Sequence, residues 1–155
     1  MTFDERLAAV AQRLAALADR AADGLTGPDA KTGERWDAGQ VWAHTAEFPA
    51  YWLGEVATVV DCWAGQPVPF GRVKTDAGRI AAIERDRTAD RATLAARVGD
   101  AIAAVRERLA ALPPEAWRAE GVHQTLGVMN LERVVDEFLV GHLEEHATQL
   151  ESLDQ

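Results

Sequence analysis

Two histidines, His142 and His146, stand four residues apart near the C-terminal end of the sequence. The surrounding segment, residues 141–150, contains no proline and a single glycine, Gly141, and therefore suits a helix. Positions i and i+4 lie on the same face of a helix, so the two imidazoles can hold one metal ion between them if a third ligand comes from elsewhere. We take His44 as that third ligand.

All three histidines occupy positions where the helical pattern predicts an apolar residue. A single histidine on such a face is more often hydrogen-bonded to a neighbour than bound to a metal. Here three of the four histidines lie on inward stripes, and burying each one without a partner costs roughly 1–3 kcal/mol. One shared ion would remove that cost for all three, so the pattern favours a metal site. The stripes are Val41, His44, Phe48, Tyr51, Glu55, Val59 and Cys62 in one helix, and Leu131, Val135, Phe138, His142, His146 or Gln149, and Leu153 in the other.

Three neutral imidazoles suit a divalent ion, with Zn²⁺ first and Ni²⁺, Cu²⁺ or Fe²⁺ as alternatives. Three protein ligands leave one coordination position open, which is typical of a catalytic zinc site, and such an ion lowers the pKa of a bound water or thiol. Glu47, three residues after His44, is a candidate catalytic group as a fourth ligand or proton carrier; the alternative is a solvated surface acid. Glu145 could orient a ligand imidazole, although an exposed acid is the more ordinary interpretation.

Three other features carry less chemistry. His123 lies in an irregular stretch, where we expect a surface histidine and, as a sharper alternative, a lid residue over the metal. Cys62 falls on an inward stripe and is predicted to be a small core residue. Residues 142–146 match the H-x-x-E-H signature of inverted zinc proteases. Those enzymes need a further ligand well downstream, and only nine residues follow His146 here, so we do not expect a protease.

Apolar spacing of three and four residues covers most of the chain and predicts four long helices. No segment alternates with a period of two over a useful length, so no sheet is expected. The predicted segments are a helix over residues 1–23 capped by Thr2, a helix over 36–63, a linker over 64–74, a helical region over 76–112 with a possible break at 86–90, an irregular stretch over 115–129, and a last helix from Asn130.

The predicted fold is all-α, a four-helix bundle in one domain over residues 1–155, an architecture that builds metal sites from facing helices. A linker of about 11 residues can reach roughly 36 Å, enough to cross the length of a bundle. The second and third helices can then run parallel, with the last helix antiparallel to the second. This arrangement brings His44 level with His142 and His146.

Composition excludes several classes of protein. A net charge of −9 without a basic stripe argues against nucleic acid as a partner. No apolar run approaches the roughly 20 residues of a membrane span, and no signal-peptide pattern is present at the start. The lone cysteine fits a reducing compartment. We therefore expect a soluble cytoplasmic protein.

Two motifs resemble a known family. The pattern W-x-x-x-x-V-x-x-H from Trp36 to His44 and the pattern H-x-x-x-H-x-x-Q-L from His142 to Leu150 are similar to those of the DinB/YfiT-like superfamily of metalloenzymes, to which the mycothiol-dependent maleylpyruvate isomerase domain is related. The resemblance covers essentially the whole chain. It implies a four-helix bundle, often a homodimer, with a divalent metal held at His44, His142 and His146.

The resemblance also implies a chemistry. Characterised members of the family are thiol transferases that use bacillithiol or mycothiol, so the expected partners are a small-molecule thiol and an electrophile. In the isomerase branch a glutamate replaces the first histidine of the late pair, whereas this chain has His142. That departure argues against isomerase activity. We therefore expect a metal-dependent thiol S-transferase. The alternatives are a metal-assisted hydrolase with Glu47 as base and a non-enzymatic stress or binding module that the metal stabilises.

Overall fold

Helices dominate the computed structural model, which describes residues 1–153. The helices are α1 Phe3–Leu17, α2 Ala38–Cys62, α3 Ala77–Asp86, α4 Arg91–Ala110, α5 Leu131–Val135 and α6 Gly141–Ser152, and the strands are β1 Val68–Phe70, β2 Glu120–His123 and β3 Gly127–Asn130. A 3₁₀ turn covers Pro114–Arg118, and a π-helical turn, Asp136–Val140, joins α5 to α6 into one continuous last helix. The fold is the predicted four-helix bundle, formed by α1, α2, α4 and the last helix.

Side-chain caps fix the helix starts that the sequence predicts. Thr2 forms a capping box with Glu5 at the start of α1, and Asp37 forms one with Gln40 at the start of α2. The Asn130 side chain caps α5. These hydrogen bonds satisfy backbone N–H groups that the first turn of a helix leaves unpaired. The predicted break between α3 and α4 is confirmed as well.

Contacts along α1 give the directions of its neighbours. The Asp4 carboxylate near the start of α1 binds Arg106 near the end of α4, so these two helices are antiparallel. Arg6 pairs with Glu144, and Arg13, two turns later, pairs with Glu151. The order is the same on both helices, so α1 runs parallel to the last helix.

The second helix runs against the last one. His44 lies beside His142, while Trp52 further along α2 stacks on Phe138 nearer the start of the last helix. The helix α2 is therefore antiparallel to the last helix and parallel to α4. Both parts of the predicted connectivity are confirmed, and the antiparallel crossing brings the histidines of two distant segments to one level.

The prediction that the chain contains no sheet is wrong. The strands β1, β2 and β3 form a small sheet in that order, with β1 parallel to β2 and β2 antiparallel to β3. Val68 pairs with Gly121 and Phe70 with His123. Strands of three and four residues are too short for an alternating pattern to stand out, and their partner lies far away in the sequence.

Two further expectations need correction. The first helix ends at Leu17 instead of residue 23, because no large apolar side chain follows Leu17 on the stripe that α1 buries. Cys62 is exposed at the end of α2 instead of buried. A heptad pattern drifts by about 20° per seven residues from the face of a straight helix. The buried residues of α2 beyond Phe48 are Pro49, Trp52, Val56 and Val59.

No helix within residues 1–153 combines the length and the apolar character that a membrane span needs.

Candidate metal centre

The three predicted histidines converge between α2 and α6. His44 projects from α2, and His142 and His146 project from successive turns of α6. The Nε2 atoms of His44 and His142 lie 3.1 Å apart, and one ring nitrogen of each histidine lies within 4.8 Å of the other two. Two nitrogens bound to one tetrahedral zinc ion lie roughly 3.3 Å apart, so the close pair already has that spacing.

Hydrogen bonds orient two of the three rings. His44 Nδ1 lies 2.9 Å from Glu47 Oε1, and His146 Nδ1 lies 2.7 Å from Gln149 Oε1. The carboxylate and amide oxygens accept, so each Nδ1 carries the proton and donates it; these tautomers are assigned from the partners. The Nε2 atom of each ring then carries a free lone pair, and this tautomer is the one that binds a metal through Nε2.

The Nε2 atom of His146 shows most directly that a cation fits here. It is buried, and among the described residues it is the one buried side-chain nitrogen or oxygen that lacks a hydrogen-bond partner. His142 Nε2 can donate its single proton to the lone pair of His44, 3.1 Å away, which leaves His146 without a donor. A divalent ion would satisfy all three nitrogens together, and three imidazoles are a donor set that zinc accepts.

Burial keeps the three imidazoles neutral. It is the largest influence on each, lowering the pKa of His44 and His142 well below 6.5 and that of His146 to about 4. Mutual repulsion within the cluster and the positive charges of Arg79 and Arg72 lower the pKa of His44 and His142 further. Protons therefore do not compete with a metal for these nitrogens at neutral pH.

Glu47 contacts His44 through the ring nitrogen that a metal would not use. Its Oε1 accepts hydrogen bonds from His44 Nδ1 and from Arg72 Nη2, and the Arg72 guanidinium lies 4.0 Å from the centre of the Tyr51 ring. Burial raises the pKa of the Glu47 carboxyl, and the hydrogen bond from Arg72 opposes that rise. These contacts fit a residue that orients His44. A role as fourth ligand or proton carrier stays a prediction.

Gln149 is a site residue whose role we did not predict, although the sequence places it on the inward stripe and in the second family motif. It follows His146 by three residues, as Glu47 follows His44, and this shared spacing was the available signal. Glu145, which we considered for the orienting role, is exposed, and within residues 1–153 its carboxylate bonds to none of the three imidazoles. The side chain of Gln149, one turn after His146, lies on the same helix face as the His146 ring, whereas the side chain of the adjacent Glu145 faces away.

A π-helical turn immediately precedes His142 and explains the single glycine of this segment. The N–H of Gly141 donates to the carbonyl oxygen of Asp136, five residues earlier. A Cβ atom at position 141 would lie 2.8 Å from that oxygen, closer than real Cβ contacts. The π turn thus leaves no room for a side chain, and such turns are frequent at functional sites.

We expect Gly141→Ala to destabilise the protein by about 1–3 kcal/mol, because the new Cβ must push against a backbone oxygen. The displaced turn carries His142, so metal affinity should fall in the same variant. Denaturant unfolding and metal titration measure the two effects. Gly99→Ala in α4 is the control, because no atom lies within 4 Å of a Cβ there, and it should stabilise by roughly 0.5–1 kcal/mol. Equal effects of both substitutions would contradict the role given to Gly141.

A cavity of about 430 Å³ opens beside the histidines, and both His44 and His142 form part of its wall. Its size lies within the range of small-molecule sites. The other lining residues are apolar, basic, acidic and polar: Trp52, Val73, Leu126 and Phe138; Lys31, Arg72, Lys74 and Arg79; Glu137 and Glu145; His123 and Thr125. An ion held by the three histidines would therefore be within reach of a small molecule in this cavity.

His123 is buried in the wall of this cavity, so the expectation of a surface histidine is wrong. Its Nε2 donates to the backbone oxygen of Arg72 at 3.2 Å, and its Nδ1 accepts from the backbone N–H of Thr125 at 3.3 Å. The ring also stacks on Phe138. The residue ends strand β2, and the pairing of that strand with β1 turns its side chain inward.

Comparison with protein families gives one match. The sequence model of the family described as the DinB superfamily matches residues 2–150. A comparison with curated proteins finds no significant match.

Solved structures share this fold. YfiT from Bacillus subtilis, described as "a probable metal-dependent hydrolase with an unusual four-helix bundle topology", matches with a TM-score of 0.75 and 17% identity over 98% of this chain and 83% of its own. The mycothiol-dependent maleylpyruvate isomerase matches with a TM-score of 0.68 and 13% identity over 97% of this chain. The chain spans 61% of that isomerase. At these identities the likeness establishes the fold alone.

Proposed function

Because the chain belongs to the DinB superfamily, we propose that it is a metal-dependent enzyme whose ion is held by His44, His142 and His146. The observation that carries this proposal is the buried Nε2 atom of His146, which has no hydrogen-bond partner within the described chain. Zinc is the first candidate among divalent ions because all three donors are imidazole nitrogens. Nickel and iron are the alternatives.

We propose further that the substrate is a low-molecular-weight thiol, which the enzyme transfers to an electrophile. The ion, when bound, supplies a Lewis acid that lowers the pKa of a thiol. The chain's own residues would orient the ligands and shape the binding cavity. Glu47 and Gln149 hold two ligand rings in the orientation that exposes Nε2, and Trp52 and Phe138 offer an apolar wall that limits access of water. The mycothiol dependence of a structural neighbour supports this choice of substrate.

Cobalt-loaded protein provides the direct test of thiol binding. We expect small thiols to add an intense near-ultraviolet charge-transfer band, and metal-loaded protein to accelerate conjugation of a bacterial thiol with monochlorobimane. Chelation should remove both signals. A cobalt-loaded protein whose spectrum no thiol changes, and which conjugates none, would rule out the transferase and leave two interpretations, a metal-assisted hydrolase and a metal that only stabilises the bundle.

A metal-assisted hydrolase is the second candidate, favoured by the description of YfiT and by the position of Glu47 beside the cluster. Glu47→Gln separates the two, since the amide still accepts a hydrogen bond from His44 but cannot take up a proton. At saturating metal, a hydrolase that uses Glu47 as base should lose hydrolysis by about 10²–10⁴-fold. A transferase should keep most of its conjugation rate once metal occupancy is matched. Ester hydrolysis and bimane conjugation, measured on the same samples, decide between them.

Two further predictions concern assembly and location. A homodimer and a cytoplasmic location both stay predictions, and size-exclusion chromatography with light scattering tests the first.

A further inference from the structure

Arg79 is a cation of the cavity wall that forms no ion pair with an acid of the described residues. It lies in the first turn of α3, is half-buried, and lines the cavity together with His44 and His142. Its Nη1 donates to the backbone oxygen of Lys74 at 2.9 Å, and its Cζ lies 5.3 Å from the centre of the Trp36 ring. Among residues 1–153 no carboxylate forms an ion pair with it.

Two of the three neighbouring cations of the cavity are already neutralised, and the third, Lys31, is exposed to solvent. Arg72 is paired with Glu47 and Lys74 with Asp29. Glu145 lines the same cavity as Arg79 but is exposed to solvent and forms no ion pair with it in the described chain. Burial is the largest influence on the pKa of Arg79 and lowers it, and the charge of Arg72 lowers it further. The charges of Glu47, Glu34 and Asp29 oppose this shift, but none of these carboxylates forms an ion pair with Arg79 in the described chain.

Arg79 is one aromatic ring away from the histidine cluster. The Trp36 ring that it covers lies edge-on to His44 at 5.4 Å and stacks on His146 at 6.2 Å between ring centres. The positive charge of Arg79 acts on all three histidines. A small molecule in a cavity of about 430 Å³ can therefore meet Arg79 and the histidine cluster at once.

From this placement we propose that the substrate is an anion, and that Arg79 binds its carboxylate or phosphate group while the reacting group faces His44 and His142. The inference rests on the proposed function for the identity of the reacting group, and on Arg79 for the anion. A planar guanidinium offers two parallel N–H donors that match two oxygens of a carboxylate or phosphate. The overall charge of −9 makes an unpaired cation in a cavity more significant, because acids to pair with it are plentiful in this chain.

Anion binding can be measured on the metal-free full-length protein, independently of the proposed reaction. Glutarate and inorganic phosphate serve as probes, and glutaramide serves as the uncharged match for glutarate. Two-dimensional NMR follows the Arg79 Nε–H and Trp36 indole signals during each titration. We expect at least one anion to shift both signals with saturation, while glutaramide shifts neither. The tighter of the two anions identifies the class of the binding group.

Arg79→Gln should weaken the binding of that anion by at least about tenfold, since a charge-assisted hydrogen-bond pair is lost. Arg79→Lys should recover part of it, because the charge remains and the fork geometry does not. Arg85→Gln is the matched control on the same helix; Arg85 is exposed, pairs with Asp86 and lies outside the cavity. Thermal melts establish that each variant is folded.

The proposal is overturned if neither anion shifts the two signals in the unmodified protein, or if Arg79→Gln binds them as well as Arg85→Gln does. The proposed enzyme function fails differently, through absence of metal binding or of thiol chemistry. Because the anion titrations contain no metal and no thiol, each failure is recognised separately.

Discussion

Replacing His146 with alanine is expected to lower the affinity for zinc or cobalt by well over 100-fold. Loss of a residue that merely orients a ligand commonly costs about 10–100-fold, and removal of a ligand costs more. The variant should fold, because the alanine removes a buried nitrogen that has no hydrogen-bond partner among residues 1–153. Competition titration against a chromophoric chelator measures the affinity, and elemental analysis of the purified protein measures the bound metal. His142→Ala should behave in the same way.

His123→Ala is the matched control, because His123 is also a buried imidazole of the same cavity. Both of its ring nitrogens are occupied, by Arg72 and Thr125, so it has no free lone pair to give to a metal. Its substitution should leave a full equivalent of bound metal. A folded His146→Ala variant that binds metal as tightly as the unmodified protein would disprove the proposed centre.

The metal-free protein is expected to lose several kcal/mol of stability when the pH falls from about 7.5 to about 5.5. Burial lowers the pKa of His146 from 6.5 to about 4 and lowers that of His44 and His142 in the same direction. Below pH 6.5 the three imidazoles bind protons in the unfolded chain but stay neutral in the folded protein. The free energy of unfolding is therefore highest above that pH and decreases as the pH falls. At pH 5.5 each imidazole that stays neutral in the folded protein lowers the free energy of unfolding by about 1.4 kcal/mol.

Urea unfolding of the chelator-treated protein at several pH values measures this loss. The range above pH 5 avoids the titration of Asp86, whose pKa the neighbouring Arg85 lowers to about 2 and whose contribution is lost only in stronger acid. His146→Leu should reduce the slope by about one third, because one of three such groups is removed. A flat curve between pH 7.5 and 5.5 in the unmodified protein would show that the three imidazoles are not buried in neutral form.

Much of the site could be predicted because its signals are local. The spacing of His142 and His146 depends only on helix geometry, and the stripe that contains His44 depends only on the apolar residues around it. The caps at Thr2 and Asn130 likewise act within one turn. Four helices with long apolar stripes leave few ways to bury them, so the bundle followed from the same pattern. The helix directions followed instead from the length of the linker over residues 64–74 and from the positions of the histidines along their helices.

What only the tertiary structure decided depends on contacts between distant segments. The sheet brings β1 beside β2 across roughly fifty residues of chain, and that pairing places His123 in the cavity wall, where its ring stacks on Phe138. Arg72 lies in the loop between β1 and α3, and the carboxylate that neutralises it, Glu47, lies on α2, so the sequence does not distinguish Arg72 from Arg79. Residue type and spacing determined which nitrogens could bind an ion. Within the described residues, the packing of separate elements determined which nitrogen was left without a hydrogen bond and which cation without an ion pair. The reason is that a missing partner depends on every group that surrounds the atom, including groups far away in the sequence.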